Sequence, residues 1–467
     1  MLVAAVALVL FLVFGHRRWF FVDEWDFLAD RNAYKLDDLL RPHNEHWSTL
    51  PILVWRVLWR LFGLQTYVPY QLVLISLHLT AAFLLRTVMR RAGVGPWVAT
   101  TAASLFVLFG AGYENIVWAF QIGFVASLVF GLTQLLLADH DGPLDRRDWL
   151  GVLAGFAGLL CSGLAVTMTI IVGVATLMRR GWRVAFFHTA PLGILYVLWW
   201  FTQARDAYTT QRTKQGGRAV PYTPPTIGEL ARFVARGIGA TFDAMGQLPG
   251  VGVALGVLLM AGLGLAWHNL DGAERRTRAA VPGALIVGAV VFLVISSLGR
   301  SSGIWAPERA SRYLHVVAAL SLPALAVAAD AVVRRWRMLA PAVLVLFLIG
   351  IPGNLRTLAN QPKVEHRIPA IMTLRLSLHQ SEQRTKAANC QSVGVSVQRR
   401  LDKGKSLRID GGRVRVFDPT VRPFYLLPWF DYRTYDPADG HTLKAPVGPL
   451  RLRLAPDDPA KPVMVCG

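Results

Sequence analysis

Apolar runs separated by short, mostly basic stretches recur over the first three quarters of the chain. A helix needs about 20 apolar residues to cross a bilayer, within a range of roughly 17–25. By that measure the runs at 2–22, 67–85, 98–112, 116–138, 150–163, 165–178, 184–202, 249–267, 281–298, 313–333 and 338–352 predict about eleven crossings, the short ones extending into their flanks. From about Pro352 the pattern changes. The tail is polar, carries turn signals at Asp410-Gly411-Gly412 and Asp439-Gly440, and alternates at Arg413-Val414-Arg415-Val416-Phe417. A two-residue period of this kind predicts β-strands. The fold class is therefore an α-helical polytopic membrane protein over 1–352, followed by a small α+β or β-rich domain over 353–467. Outer-face loops are expected at 15–66 and 203–248. Within the second, 203–226 is polar with Gly and Pro, and 227–247 is helical and lies along the membrane surface.

Orientation follows Lys and Arg in short loops. With the N-terminus inside, the inner loops hold these cations at about twice the density of the main outer loops. The clusters at 90–91, 179–180, 275–276 and 334–335 fit a cytoplasmic face, while Arg17 and Arg18 argue the other way. The expectation is a plasma (inner) membrane protein with a cytoplasmic N-terminus and an extracytoplasmic C-terminal domain. Trp19-Phe20-Phe21 follows the first apolar run where a small-residue cleavage site would stand, so the run reads as a retained anchor. It is short before His16, which leaves open a start upstream of Met1.

Composition agrees. The chain has 467 residues, 17% charged and 54% hydrophobic, with 49 Lys plus Arg against 29 Asp plus Glu and a net charge of +20. Its mean hydropathy is +0.41. A soluble domain carries roughly 25% charged residues, so an ordinary cytosolic enzyme, a disordered chain and a disulfide-stapled miniature are excluded. The cations sit between apolar runs as membrane flanks, which does not suggest a nucleic-acid partner. Three cysteines are too few for a zinc cluster. Cys390 and Cys466 lie in the exported tail and are disulfide candidates; Cys161 lies inside a span as a small buried residue.

Several polar groups stand where a membrane protein would keep chemistry. Phe21-Val22-Asp23-Glu24-Trp25-Asp26-Phe27 places three carboxylates directly after the first span. Such groups are costly to desolvate at a membrane boundary, and one with a raised pKa can act as general base. Arg41-Pro42-His43-Asn44-Glu45-His46-Trp47 follows. His43, Glu45 and His46 are candidate ligands for a divalent metal, without the spacing of a metalloprotease motif. They can equally bind a sugar or phosphate, relay a proton, or cap a helix. In 53–61, Arg56 and Arg60 share one helical face and Trp55 and Trp59 the adjoining one, the pattern of an interfacial helix. Glu114, Asn115, Trp118 and Gln121 fall at helical spacings of three and four and are expected to line one surface, as sugar contacts or as helix–helix bonds. In the last outer loop Arg300, Arg309, Arg312 and Tyr313 suit a phosphate, because guanidinium donates two parallel hydrogen bonds; headgroup snorkelling is the plainer reading. Arg205, Arg212, Lys214 and Arg218 add to a cationic outer face that suits an anionic lipid carrier. Neither a phosphate-cradling Gly-rich loop nor a G-x-S-x-G elbow is present, so a nucleotide-sugar donor has no support.

Taken together, the acidic residues after the first span (Asp23, Glu24, Asp26), the long first loop with its amphipathic helix, the polar turn at Glu114 and Asn115, and the Arg309, Arg312, Tyr313 group resemble the GT-C superfamily of integral-membrane glycosyltransferases. That superfamily includes protein O-mannosyltransferases, lipid A aminoarabinose transferases, and actinobacterial mannosyl- and arabinofuranosyltransferases. The resemblance covers roughly residues 1–335; its motifs are short, and their arrangement carries it. It implies a GT-C-like membrane domain, a polyprenyl-phosphate sugar as donor, a glycan, lipid or protein acceptor, and work on the extracytoplasmic side. It further implies an acidic catalytic base in the first loop, here Asp23 with Glu24 and Asp26 as rivals, phosphate contacts at Arg309 and Arg312, and inversion by a single displacement. The His43-Asn44-Glu45-His46 run is not a general mark of the superfamily. The Ala-, Val- and Arg-rich composition resembles a high-GC actinobacterial protein.

Three other readings stay open on the residues alone: a lipid or glycan transporter or flippase, a ligase or polymerase using a diphosphate-linked donor, and a structural membrane protein with an exported tail. Transporters often carry two related halves, and none is visible here.

Overall fold

The computed structural model of the chain describes residues 2–15, 18, 20, 23–29, 31, 33–44, 46–63, 66–205, 224–269, 271–300 and 307–361, together with eight strands of the tail. The chain divides into two units. The first comprises Met1–His16, Leu40–Pro51 and Tyr70–Pro362; the second comprises Arg17–Leu39, Ile52–Pro69 and Lys363–Gly467.

The helices are α1 (Leu2–Gly15), α2 (Asp23–Ala29), α3 (Leu36–Leu40), α4 (Thr49–Phe62), α5 (Val68–Arg91), α6 (Pro96–Val107), α7 (Glu114–Val117), α8 (Ile122–Ala138), α9 (Arg146–Leu159), α10 (Leu164–Arg180), α11 (Trp182–Trp199), α12 (Ile227–Gly246), α13 (Val251–Asn269), α14 (Ala280–Arg300), α15 (Ser311–Arg335), α16 (Ala340–Leu348) and α17 (Ile351–Ala359). Each of the eleven expected spans overlaps a helix, although 2–22 runs past the end of α1 at Gly15 and 98–112 and 116–138 each cross a break between helices. Among the described residues seven helical stretches are long and apolar enough to cross a membrane: Val68–Arg91, Ala119–Ala138, Trp182–Ala204, Val251–His268, Arg276–Gly299, Ser311–Arg335 and Arg337–Ala359. Leu2–Gly15 and Pro96–Val107 are shorter apolar helices. The protein is a polytopic helical membrane protein.

The axis of the first unit is α15. It is buried on nearly every side, from Tyr313 through Ala329, and packs against α6, α12, α13 and α14. A helix apolar all round belongs in a core, and its run of alanines lets neighbours approach closely. Two glycines elsewhere mark backbone-to-backbone contact. A Cβ on Gly350 would stand 1.9 Å from the Met245 carbonyl oxygen, and one on Gly110 would stand 1.8 Å from that of Asn354.

The ends of the bundle differ in chemistry. At one end the basic helix termini interlock with carboxylates and carbonyls. Arg91 donates to Leu136 O, Arg179 pairs with Asp139 and Asp141, Arg180 with Asp148, and Arg334 with Asp330, whose other oxygen accepts the Gly95 N–H at 2.8 Å. The basic clusters at 90–91, 179–180 and 334–335 thus share one end. At the other end the Gly110–Gly112 turn, the start of α15 and Asn354 come together.

In the second unit the described tail forms two antiparallel sheets: β1 (Cys390–Val393), β2 (Val397–Leu401), β3 (Ser406–Asp410), β4 (Val414–Phe417), β5 (Arg433–Tyr435), β6 (Thr442–Lys444), β7 (Leu450–Pro456) and β8 (Val463–Cys466), ordered β1-β8-β3-β6 and β2-β7-β4-β5. The alternating stretch at 413–417 supplies β4. In the β1–β8 register Cys390 stands opposite Cys466.

Gly350→Ala is expected to destabilise the detergent-solubilised protein by about 1–3 kcal/mol, the usual cost of overpacking. Gly256→Ala, whose Cβ meets nothing within 4 Å, should leave the unfolding temperature unchanged in the same thermal scan.

Candidate active site

The first four N–H groups of a helix have no partner within it, and the helix start carries partial positive charge. Glu114 meets both needs at the start of α15. Its carboxylate accepts the Arg312 backbone N–H at 3.1 Å and lies 3.4 Å from Arg312 Nη1. In return the Glu114 N–H donates to Ser311 Oγ at 3.1 Å, and Asn115 Nδ2 donates to the Arg312 carbonyl at 3.1 Å. The Arg312 guanidinium also rests over the Tyr313 ring, 5.3 Å from its centroid. Arg312 and Glu114 remain 25% and 20% exposed, so this held cation is reachable from outside. Asn115 is fully buried, with its Oδ1 unpartnered among the described residues. Asn354 supports the arrangement from behind: its Oδ1 accepts the Ala111 N–H and its Nδ2 donates to Ala244 O, both at 3.0 Å.

The expectation that Glu114, Asn115, Trp118 and Gln121 line one helical face is corrected. α7 ends at Val117, Trp118 is extended at φ −99 and ψ 103, and Ala119–Gln121 is a separate 3₁₀ turn. The spacing of three and four therefore spans a break. Glu114 and Trp118 are half-buried while Asn115 and Gln121 are buried, and Trp118 packs at 5.2 Å against Phe120.

His43 and His46 close a tight turn, exchanging two backbone hydrogen bonds of 3.0 Å around Asn44, whose φ of +52 suits Asn. Glu45 lies outside the described residues. The His43 ring packs edge-on against Phe120, and His46 Nδ1 accepts the Gly163 N–H at 3.3 Å, which puts the neutral ring's proton on Nε2. The next residue, Trp47, stacks on Trp199 at 5.1 Å, and Trp199 Nε1 donates to Leu40 O at 2.7 Å. The turn is thus pinned to the end of α11.

One pair escaped sequence reasoning. His78 and His315 are both fully buried and meet at 3.0 Å, and His78 Nε2 bonds the Val107 carbonyl at 3.1 Å. A carbonyl only accepts, so His78 carries its proton on Nε2, its Nδ1 accepts, and His315 donates from Nε2. Ionisable groups inside a membrane helix face a partner or a cavity; the one visible signal was a single histidine within each of two apolar runs. His315 stands one turn below Arg312.

In the second unit Asp23 opens α2 and is half-buried, whereas Glu24 is fully buried and accepts a hydrogen bond from the Tyr67 hydroxyl. Phe20 packs edge-on against Tyr67 and Trp55. The Asp26 side chain lies outside the described residues. On α4, Trp55, Trp59 and Arg56 are buried, while Val57, Leu61 and Phe62 are exposed. This inverts the pattern of a water-facing helix and fits an interfacial one. Arg309 is exposed and makes no ion pair among the described residues. The Arg300 side chain, Arg212, Lys214 and Arg218 lie outside them.

Among the described residues, His140, Asp145 and Asp148 form the one cluster with metal-ligand potential, at the basic end of the bundle. Asp148 is fully buried. Burial by itself would raise its pKa, but bonds from Arg180 at 2.5 Å, His188 at 2.9 Å and the Asp145 N–H at 2.8 Å reverse this and hold the carboxyl well below the usual range. Its charge is already met by Arg180, so the cluster reads as an ion-pair hub tying α9 to α10 and α11.

No family model matches the chain. Over 194 residues, 40% of its length, it is 30% identical to the dolichyl-monophosphooligosaccharide–protein glycotransferase AglB of Haloferax volcanii. That match spans 17% of AglB, so the chain covers about a sixth of this relative. The apo crystal structure of ArnT from Cupriavidus metallidurans is similar with a TM-score of 0.43 at 16% identity, covering 77% of this chain and 75% of that one.

Asp148→Asn should cost about 3 kcal/mol near neutral pH, because it strands a buried guanidinium. The folded carboxyl titrates below its ordinary value of 3.8, so the wild-type advantage is complete above about pH 4 and lost as pH falls through the folded pKa. Denaturation of both proteins across pH 3–7 checks this.

Proposed function

We propose that the chain is a GT-C-type membrane glycosyltransferase that moves a sugar from a polyprenyl-phosphate donor to a cell-envelope glycan, lipid or protein acceptor on the outer face of the plasma membrane. The observation that carries this reading is the Arg312–Glu114 clamp: one Glu114 carboxylate holds Arg312 by both its backbone N–H and its guanidinium, which stays partly exposed at the mouth of a membrane-spanning helix. A phosphate on a lipid tail arrives at that depth. Arg309, exposed three residues earlier, offers an uncommitted charge beside it. The local likeness to AglB, whose name pairs a dolichyl-monophosphate donor with a protein acceptor, supports the donor class. The basic end of the bundle is the cytoplasmic one on the positive-inside rule, which leaves Arg312 and the C-terminal domain outside.

In the reaction, the acceptor hydroxyl gives its proton to Asp23 as its oxygen bonds to the anomeric carbon. The bond from that carbon to the phosphate oxygen breaks in the same step, the anomeric centre inverts, and the polyprenyl phosphate leaves with the bonding electrons. Arg309 and Arg312 stabilise the charge that develops on it. Asp23 is preferred to Glu24 because Glu24 is buried and bonded to Tyr67, whereas Asp23 is half-exposed. Trp118, Gln121 and the His43–His46 turn contact the sugar or acceptor, and the buried Asn115 positions Arg312 through its carbonyl. The reading includes a Cys390–Cys466 disulfide in the tail, supported by the backbone register that sets the two residues opposite each other, while their side chains lie outside the described residues.

The test is transfer of labelled sugar by membranes supplied with a panel of polyprenyl-phosphate sugars, with and without EDTA because His43 and His46 are candidate metal ligands. Asp23→Asn at equal protein level should lose roughly 10²–10⁴-fold in rate. Arg312→Ala should lose more than Arg312→Lys. Retained activity in Asp23→Asn moves the base to Glu24 or Asp26, and transfer from no monophosphate donor by folded wild type overturns the donor class. Non-reducing mass analysis of the intact protein should show one disulfide joining the peptides of Cys390 and Cys466.

A further inference from the structure

At the basic end of the bundle α13, α14 and α15 border an open-sided cavity of about 910 Å³. Arg312 and Arg335 stand at opposite ends of α15, 23 residues and about 35 Å apart at 1.5 Å per residue. The cavity therefore opens at the membrane surface opposite the Arg312 clamp and takes no part in the chemistry proposed there. Its size suits a small molecule or a lipid headgroup with the first part of its chains.

Its walls are of two kinds. One wall is apolar, formed by residues such as Leu263, Ile286 and Val327. Gly264 of α13 and Gly283 of α14 also line it, and a Cβ on either would meet no atom within 4 Å. Side chains at these two positions would extend into open space. The rim is cationic. Arg278 pairs with Glu274 at 3.1 Å and Arg334 with Asp330 at 2.5 Å. Arg335 lines the same rim, is exposed, and among the described residues meets no carboxylate; its guanidinium lies over Trp336 at 5.6 Å. The rim carries one positive charge beyond its carboxylates. Trp267, 53% exposed, completes it at the level where indole rings sit in a membrane interface.

We propose that this cavity is a binding site for an anionic membrane phospholipid, its phosphate at Arg335 and its acyl chains running along the Gly264–Gly283 wall. An apolar wall below a cationic rim matches that molecule from end to end, and basic pockets between membrane helices favour anionic headgroups. A zwitterionic lipid lacks the net charge that Arg335 selects, and a free phosphate ester lacks the chains that the wall selects.

The full-length protein is reconstituted in nanodiscs holding equal phosphatidylglycerol and phosphatidylcholine of the same chains, then extracted, and the retained lipid is counted by native mass spectrometry. Wild type should retain phosphatidylglycerol preferentially. Arg335→Ala should cut that preference about fivefold, the effect of one arginine near an anionic headgroup, and Arg335→Lys should keep most of it. Gly264→Leu with Gly283→Leu, which meet open space, should remain monodisperse and retain neither lipid. Glycerol phosphate in millimolar excess should displace nothing. Equal retention of the two lipids by wild type overturns the proposal, as does preference unchanged in Arg335→Ala, retention unchanged in the double leucine variant, or displacement by glycerol phosphate. None of these readouts depends on sugar transfer, so the site stands or falls apart from the catalytic reading.

Discussion

A bilayer interior tolerates neither an unbonded backbone group nor an unpaired charge, and α15 is arranged around that constraint. Its middle is alanine-rich and buried, so neighbours pack against it on every side. Its ionisable residues sit at its ends. At the start, Glu114 bonds both the backbone and the side chain of Arg312. At the far end, Asp330 takes the Gly95 N–H and the Arg334 side chain. With both ends tied, the rotation of the helix is set, and so are the positions of Tyr313 and His315.

This gives the Arg312 end of the bundle a graded polarity. Arg309 is exposed, Arg312 and Glu114 are half-buried, and Asn115 and His315 are sealed. A catalyst of charge transfer needs its dipoles fixed before the reaction, because reorganising them during it adds to the barrier. Arg312 has that property: carboxylate, backbone and aromatic ring each restrict it. The hydrogen-bonded histidines beneath fix the underlying turn of α15 against α5. The first loop shows the same economy in its own unit, where Tyr67 and Phe20 hold Glu24 inside and leave Asp23 at the helix start.

The opposite end solves a different problem. There arginines are numerous, and Asp139, Asp141, Asp148 and Asp330 pair with them, from the buried Arg180–Asp148 pair to the exposed Asp141, in contacts that lace α5, α6, α8, α9, α10 and α15 together. A removed partner leaves a stranded charge, so these contacts act as registration points more than as sources of net stability. Where a cation exceeds the carboxylates of its rim, as at Arg335, this end has charge to offer a ligand.

Much of this was legible in the chain. Hydrophobicity is a local property, so the apolar runs located the long apolar helices, and the two-residue alternation at 413–417 marked a strand; α3 lay outside every run, and most of α17 lay beyond the last one. The acidic first loop and the Arg309–Arg312 group drew attention by composition alone. What period and composition could not reach was which remote groups meet. Glu114 and Arg312 are 198 residues apart, and His78 and His315 are 237 apart. Glu24 rather than Asp23 turns inward because Tyr67, 43 residues on, waits to bond it. Trp118 breaks what the spacing read as one face, because a short polar turn has no helical periodicity to keep. The sequence by itself determined which segments are apolar enough to lie in a membrane, since transfer free energy is summed residue by residue along it. Only the tertiary structure decided which polar groups would be partners, since a charge in low dielectric is stabilised by whatever packing brings within hydrogen-bond reach.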